Sequence, residues 1–348
     1  MNKVLLKDVA IEYKQTIKEK SEDISIVGLE HLEPENILLE NWDVGKENTF
    51  TKGFKKGHVL FGRRRAYLKK AALAQCEGVC SGDITVIEAK EDKIDPKLLP
   101  FIIQNESLFD YAVKNSAGSL SPRVKWEHLQ NYEFMLPEMT KQKEISDILW
   151  SMENTKRSYE KMKNSLDDLI KSQFIEMVNN VKHEVVLLGD LEDSGRITLG
   201  RGQVISKTDI MDNKGDYPVY SSSATNNGEI GRYDKFMFDD EKITWSIDGG
   251  GKFFYRPPHK YSVTNVCGWL KVNDSNISTK YLYHALMNEW FNKVYDYLHK
   301  AHPSVIRKEY TISIPSLEDQ RQFVNFIELL DKSKYMHYFD NERRCMYA

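Results

Sequence analysis

The sequence predicts an α/β (α+β) protein of two similar globular domains, separated by two long antiparallel helices that form a coiled coil, with a pseudo-two-fold relating the halves. Three observations carry that expectation. The phrase "MLPEMTKQKEISDILWSM" (Met135–Met152) has an echo in "SIPSLEDQRQFVNFIELL" (Ser313–Leu330), where Pro137 matches Pro315 and Gln142 matches Gln320 at a constant offset of 178. No glycine lies between Gly118 and Gly189 and no proline between Pro137 and Pro218, so the two strongest helix breakers are missing from a long stretch. The segments flanking that stretch repeat one order of features, the mark of an internal duplication.

The breaker-free stretch reads as one helix from near Lys141 to near Asn179, with Thr140 as N-cap, roughly 60 Å at 1.5 Å per residue. Steps of three and four pick out Ile145, Ile148, Met152, Thr155, Tyr159, Met162, Leu166 and Leu169, a heptad seam with charged residues between its members. In the echo, Phe323, Phe326, Leu330 and Ser333 take the places of Ile145, Ile148, Met152 and Thr155. Beyond Lys334 the pattern weakens, Asp340 and Arg344 falling where Met162 and Leu166 would be, and the second helix reads as a shortened copy. The first helix leaves the first domain and arrives at the second, and the other starts at the end of the second, so a pairing of the two must be antiparallel.

The expected division is a first domain over 1–137, a spacer helix over 138–183, a second domain over 184–315 and the shortened helix over 316–348. Each domain opens with an apolar phrase, "KVLLKDVA" and "VVLLGDLE". Each has a strand followed by a basic turn, "GHVLFGRRRAYLKKAAL" and "EKITWSIDGGGKFFYRPPHKY". A β-rich phrase follows ("CSGDITVIEA", "NVCGWLKV"), then a helix-like segment ("PKLLPFIIQNESLFDYAVKN", "TKYLYHALMNEWFNKVYDYL") and a short polar loop ("SLSPRV", "AHPSV").

At 348 residues the chain is long for one core. With 41% apolar and 29% charged residues and no apolar run of membrane length, it reads as a soluble protein. The charged N-terminal phrase "MNKVLLKDVAIEYK" lacks a secretory apolar core, and four scattered cysteines (Cys76, Cys80, Cys267, Cys345) fit a reducing cytoplasm. No metal site is expected. The net charge of −3 argues for no particular partner, but positive charge is gathered locally. Asn48–Cys76 holds eight Lys or Arg and no acid, and Gly249–Asn273 holds four, again with no acid.

"GRRRAYLKK" (Gly62–Lys70) places Arg63, Arg64, Arg65, Tyr67, Lys69 and Lys70 after a strand, where a turn projects them. Arginine grips phosphates and reads guanine through two parallel bonds, so these residues are DNA-binding candidates. Ser121, Arg123 and Lys125 of "SLSPRVKW", and His302 and Ser304 (with His299) of "HKAHPSVIRK", fit phosphate clamping; a turn into an edge strand is the plainer alternative. Ser221, Ser222 and Ser223 of "YSSSATNNGEIGRY", Arg201 and Gln203 of "GRGQVISK", and Lys252 and Lys260 complete the set, each equally at home in an ordinary surface loop. "DGGGK" (Asp248–Lys252) is no phosphate loop, since Ser246 stands where its first Gly belongs and Phe253 where Ser or Thr would hold magnesium. No HExxH, paired CxxC, Gly-x-Ser-x-Gly or adenine-methylase signature occurs, so no catalytic residue is expected.

The chain resembles the specificity subunit of type I restriction–modification enzymes over essentially its full length. The phrases that carry the resemblance are "VGLEHLEPENILLENW", "FKKGHVLFGRRRAYLKKAAL", "SLSPRVKWEHLQNYEFMLPEMTKQKEI", "DYPVYSSSATNNGEIGRY" and "IPSLEDQRQF", in this order. The resemblance implies two target recognition domains, each reading half of a split, asymmetric double-stranded DNA sequence, with the long helices as spacer and docking site for two modification (methyltransferase) subunits. It places S-adenosylmethionine, ATP and Mg2+ on those partners and on restriction/translocase subunits, with no cofactor in this chain. The shortened second helix departs from the family's pattern. Two other readings remain at this point: a stand-alone DNA-modifying enzyme, and a coiled-coil adaptor that touches no DNA.

Overall fold

A computed structural model describes residues 2–45, 47–223, 226–295 and 300–330. The chain divides into two compact units, Met1–Glu160 and Lys161–Ala348.

In the first unit the opening strand Asn2–Leu5 pairs antiparallel with Glu133–Leu136, the strand that leads into the long helix. The main antiparallel sheet runs Ala10–Glu12, Ile84–Ala89, Val59–Gly62, Ala71–Leu73. A second sheet of five short strands, ordered Gln15–Thr16, Lys52–Phe54, Gly78–Cys80, Ser25–Val27, Asp43–Val44, is mixed, with Ser25–Val27 parallel to Gly78–Cys80. The inner strands Val59–Gly62 and Ile84–Ala89 are largely buried, and their Val59, Phe61 and Ile87 pack with Leu99, Ile103 and Phe109 of the covering helices in one apolar core. The expected single helix over "PKLLPFIIQNESLFDYAVKN" is two, Leu99–Ile103 and Glu106–Lys114. Asn105 divides them, because its side chain accepts from Ser107 N–H and caps the second.

The second unit repeats the plan. Its opening strand His183–Leu187 pairs antiparallel with the closing Thr311–Pro315. Its main antiparallel sheet runs Ile197–Arg201, Cys267–Val272, Lys242–Ser246, Phe253–Arg256, the same connectivity as in the first unit. The duplication read from phrase order is therefore a duplication of topology. The second sheet differs: three strands, Glu229–Tyr233, Tyr217–Tyr220 and Ser262–Val263. The core joins Trp245, Phe253 and Leu270 of the sheet to Tyr281, Leu282 and Leu286 of the helix Thr279–Trp290.

The long helix is unbroken over 42 residues, Met139–Asn180. It starts before Thr140: the first helical bond runs from Gln142 N–H to the Glu138 carbonyl, so Glu138 holds the cap position and Thr140 lies in the first turn. The second helix occupies 317–330 of the described residues and starts the same way, with Ser316 as cap, its hydroxyl bonded to Asp319. The antiparallel pairing of His183–Leu187 with Thr311–Pro315 sets this start beside the end of the long helix, where Phe174 meets Phe323 edge-on at 5.5 Å.

The heptad seam is not the face that the units bury. At its N-terminal end the long helix packs through Gln142, Ile145, Ser146 and Leu149, and Trp150 sits edge-on against Phe101. At its C-terminal end it packs through Ile170, Phe174, Met177 and Val178. Of the expected seam, Ile145 is half-buried on the first core, Met162 and Leu166 are half-buried, and Ile148, Met152, Tyr159 and Leu169 are exposed. Phe323 is buried and Phe326 and Leu330 half-buried, the two phenylalanines on the second unit's own core. Apolar spacing finds the stripe but not which neighbour covers it. The first unit grips the helix on a face that meets the seam only at Ile145 and includes the polar Gln142 and Ser146, and the second grips an apolar face beside the seam. Ser333, the next position of the second seam, and Asp340 and Arg344, where the pattern was expected to weaken, lie outside the described residues.

Candidate nucleic-acid interface

In the first unit the chain leaves Val59–Gly62 into a tight turn. Arg65 (φ 54°) and Lys69 (φ 51°) take left-handed conformations on either side of the 3-10 turn Ala66–Leu68. Ala66 is the buried anchor, so Arg65 and Tyr67 face solvent, Tyr67 at 54% exposure. The polar loop around Ser121 lies against this turn: Arg65 N–H donates to the Pro122 carbonyl, Val124 N–H donates to the Arg63 carbonyl, and Arg64 and Arg123 form an antiparallel bridge. Two segments some 60 residues apart thus build one basic surface.

Asp83 stands at its centre. Arg123 grips the carboxylate with two bonds, Nε to Oδ1 at 2.6 Å and a terminal nitrogen to Oδ2 at 3.1 Å, and Arg64 approaches to 3.7 Å. Arg64 also donates to Ser121 Oγ at 3.2 Å. The Arg123 hydrogen bonds, helped by the nearby Arg64 and Arg63 charges, hold the Asp83 carboxyl below its ordinary value against the opposing effect of burial. Among the described residues the buried Nε groups of Arg63 and Arg64 have no acceptor. Lys69 pairs with Glu106 at 2.5 Å and Lys70 donates to the Leu29 carbonyl at 2.7 Å, so neither lysine is as free as the sequence suggested. Lys125 is exposed ahead of the short helix Trp126–Leu129.

In the second unit the candidates gather around the turn Val263–Val266. Arg201 donates twice to the Asn265 carbonyl, at 3.0 and 2.7 Å, and Gln203 N–H donates to the Val263 carbonyl. This approach needs Gly202, where a Cβ would lie 2.0 Å from the Val263 oxygen. Ser221 Oγ accepts from Thr264 Oγ1 at 2.8 Å, Ser222 Oγ bonds the Val266 carbonyl and accepts from Asp248 N–H at 3.2 Å, and Ser223 N–H donates to the Ser221 carbonyl. The glycines after Asp248 form a turn, with Gly250 and Gly251 at positive φ, and the Gly250 carbonyl accepts from Trp290 Nε1 at 2.7 Å. Lys252 lies over the Phe254 ring at 5.7 Å, and exposed Lys260 lies over Phe236 at 4.8 Å.

"AHPSV" is not the loop it was expected to be. His302 is the cap and Ser304 an exposed early residue of the helix Pro303–Glu309, because Pro303 is pre-set for a first helical position. Among the described residues no hydrogen bond links His302 or Ser304 to the Val263–Val266 turn, and Lys300 pairs with Asp248 at 2.9 Å. His299 lies outside the described residues.

Sequence reasoning missed two organising residues. Asp83 is the acid closest after the acid-free basic stretch apart from Glu77, and it immediately precedes the strand Ile84–Ala89, which pairs with the one ending in Gly62. Arg256 sits within "FFYRPP" and is 4% exposed, with no carboxylate partner among the described residues. Its Nε donates to Thr244 Oγ1 at 2.9 Å, a terminal nitrogen donates to the Asn227 carbonyl at 2.6 Å, and its plane lies 3.5 Å from the Tyr220 ring centre. An arginine ending an aromatic strand was the available signal.

Both units therefore present arginine, lysine, hydroxyl and amide groups on turns held by an antiparallel sheet. This donor-rich chemistry suits phosphate oxygens and base edges. Among the described residues no group of three His, Cys, Asp or Glu side chains is placed to hold a metal ion, and no helix is long and apolar enough to cross a membrane.

A duplicated α/β unit with a long helix after its first copy defines the class of two-domain architecture to which the chain belongs. The type I restriction modification DNA specificity domain matches residues 2–167 and again residues 180–336, and the chain belongs to that family. A putative type I specificity subunit N-terminus from Mycoplasma pneumoniae is 50% identical over 88 residues, 25% of this chain and 46% of that protein. The type I restriction enzyme MpnII specificity subunit of the same organism is 37% identical over 136 residues, 38% of this chain and 40% of its own length. The chain thus spans about half the length of the curated relatives it matches, or less. The crystal structure of a type I restriction–modification S subunit from M. genitalium shares the fold, with a TM-score of 0.61 at 13% identity over 97% of this chain and 91% of that one.

Proposed function

We propose that this chain is the sequence-specific DNA-recognition subunit of a type I restriction–modification system and is not itself catalytic. Residues 1–137 and 184–315 act as target recognition domains, with 138–183 and 316–348 as spacer and docking helices. The reading is carried by one observation: two units of the same main-sheet topology present unlike polar and basic turns, around Asp83 in one and around Val263–Val266 in the other. Two unlike readers in one chain call for a split, asymmetric target on double-stranded DNA. In this reading two modification subunits dock on the helices and carry S-adenosylmethionine chemistry on adenine, restriction/translocase subunits supply ATP- and Mg2+-dependent cutting, and the assembly works in the cytoplasm.

The test is methylome sequencing of cells with and without the gene. A bipartite motif with two different halves is expected to disappear with the gene, and the assembled complex is expected to bind that motif with affinity falling steeply as salt rises. Equal affinity for scrambled DNA at physiological salt overturns the reading. Methylation by the purified chain alone with S-adenosylmethionine would instead favour a stand-alone enzyme.

A further inference from the structure

The two helix starts that echo each other in sequence are fastened by the same joint. Gln142 and Gln320 are 2% and 0% exposed at equivalent places in the first turn of their helices. Each donates from Nε2 to the carbonyl of the proline five residues earlier, at 2.9 Å to Pro137 and 2.9 Å to Pro315. Each accepts at Oε1 from a backbone N–H in its own unit, Asp95 at 2.9 Å and Ser278 at 2.8 Å. Asp95 and Ser278 are offset by 183 rather than 178, so the joint is rebuilt despite a five-residue difference in the chain between its parts. Two turns further along, the equivalent positions 150 and 328 return to the same foot: Trp150 Nε1 donates to the Lys97 carbonyl at 2.9 Å, and Glu328 pairs with Lys280 at 3.0 Å. Lys97 and Lys280 share the offset of 183.

A carboxamide fixed at both its donor and its acceptor leaves the helix little freedom to pivot on its unit. Small pivots matter at this length. A tilt of about 5° displaces a point roughly 60 Å along a helix by about 5 Å, more than the ~3.4 Å rise of one base pair. We infer that Gln142 and Gln320 are positioning residues that set the direction in which each helix leaves its own unit, and through it the number of unread base pairs tolerated between the two half-sites.

The inference rests on the DNA reading proposed above, so its test has one arm that needs DNA and one that does not. Gln142→Met and Gln320→Met, singly and together, keep the volume and remove the two bonds of Gln142 and the three of Gln320, whose Nε2 also donates to the Asn276 carbonyl at 3.0 Å. In complexes with the modification subunit, methylation is compared on duplexes carrying both half-sites at the native gap and at gaps one base pair longer and shorter. The altered-gap to native-gap ratio is expected to rise about tenfold, the scale of one lost buried hydrogen bond, with half-site preference unchanged. In the full chain, the distance distribution between nitroxide labels, one on each unit, is expected to broaden. A lower melting temperature with unchanged gap stringency reduces both residues to ordinary satisfied polar groups and overturns the inference, as does joint loss of gap and half-site preference. A wild-type complex with no half-site preference sinks the DNA reading instead, and the label distances then decide the joint alone. Should the Met variants not fold, Gln142→Glu and Gln320→Glu, which keep the acceptor and lose the donor, carry the same comparison.

Discussion

The two units have main sheets of the same topology and hold their key arginines in opposite ways. In the first, Arg64 and Arg123 converge on Asp83 at a half-exposed surface, and ion pairs of this kind can exchange their carboxylate for a phosphate oxygen at little cost. In the second, Arg256 is buried against Tyr220 and Phe254 and bonded to neutral oxygens. Burial pulls its guanidinium below the ordinary value, but an arginine stays charged at neutral pH. A buried cation is costly unless well bonded, so Arg256 acts as a pin for the loop at Asn227 rather than as a reading group. The difference separates two tasks: the first unit presents its arginines, and the second uses one to hold its serines and amides in place.

The largest effect should come from removing the pin. Arg256→Ala leaves the Asn227 carbonyl and Thr244 hydroxyl without their donor and opens space beside Tyr220. It should destabilise the second unit by about 3 kcal/mol, seen by calorimetry, and abolish the second half-site while the first persists. An Arg256→Ala chain that melts normally and reads both half-sites would break the comparison.

Acid should find the second unit first. Burial, with Lys280 adding to it, pushes His284 down to about 4 from 6.5, so the unfolded chain binds a proton between those values that the folded unit refuses. Stability is therefore full above pH 6.5 and falls as pH drops toward 4, by roughly 1–3 kcal/mol. His58 in the first unit is lowered by burial too, but Glu88 offsets part of the shift. Denaturant midpoints taken between pH 7 and 4 should decline more for the second unit, and His284→Gln should flatten that decline.

Asp83→Asn should have a smaller effect on stability, about 1 kcal/mol or less for a partly exposed ion-pair cluster. Its carboxyl is depressed, so its contribution is complete above the ordinary carboxylate range and is lost only as pH falls through its lowered folded value. The variant removes that acid-side dependence. It also frees Arg123 and Arg64 from their competitor, so non-specific DNA affinity at low salt should rise even as selectivity at the first half-site falls.

What was legible in the sequence follows from what periodicity and order can encode. The duplication was legible because shared topology requires the same elements in the same order, and the long helix because glycine and proline are absent from it. The partner of the apolar stripe was not. Helical spacing at Ile148, Met152 and Tyr159 says that one face is apolar, while the units grip neighbouring faces through Gln142, Ser146 and Phe174. Basic turns were visible as acid-free runs. Their internal pairing was not, because Asp83, Glu106 and the Leu29 carbonyl reach Arg123, Lys69 and Lys70 only through the fold. The break at Asn105 turned on a capping side chain and the helix after His302 on Pro303 at its first position, single residues that a coarse reading passes over.

The smallest expected effect on stability is also the sharpest probe of the first unit's outward face. Arg65 is exposed, its backbone N–H is held by the Pro122 carbonyl, and its side chain has no partner among the described residues. Arg65→Ala should change stability by no more than about 0.5 kcal/mol, because nothing folded depends on the guanidinium. If that group meets a phosphate, the slope of log affinity against log salt should shrink by about one, with half-site preference intact. Arg201→Ala in the second unit is the contrasting case, since its guanidinium donates to the Asn265 carbonyl and its loss should loosen the turn that organises Gln203 and Ser221. Measured side by side, the first variant should move only the salt slope and the second should move sequence preference as well. Identical responses would mean that the two units contact DNA in the same way.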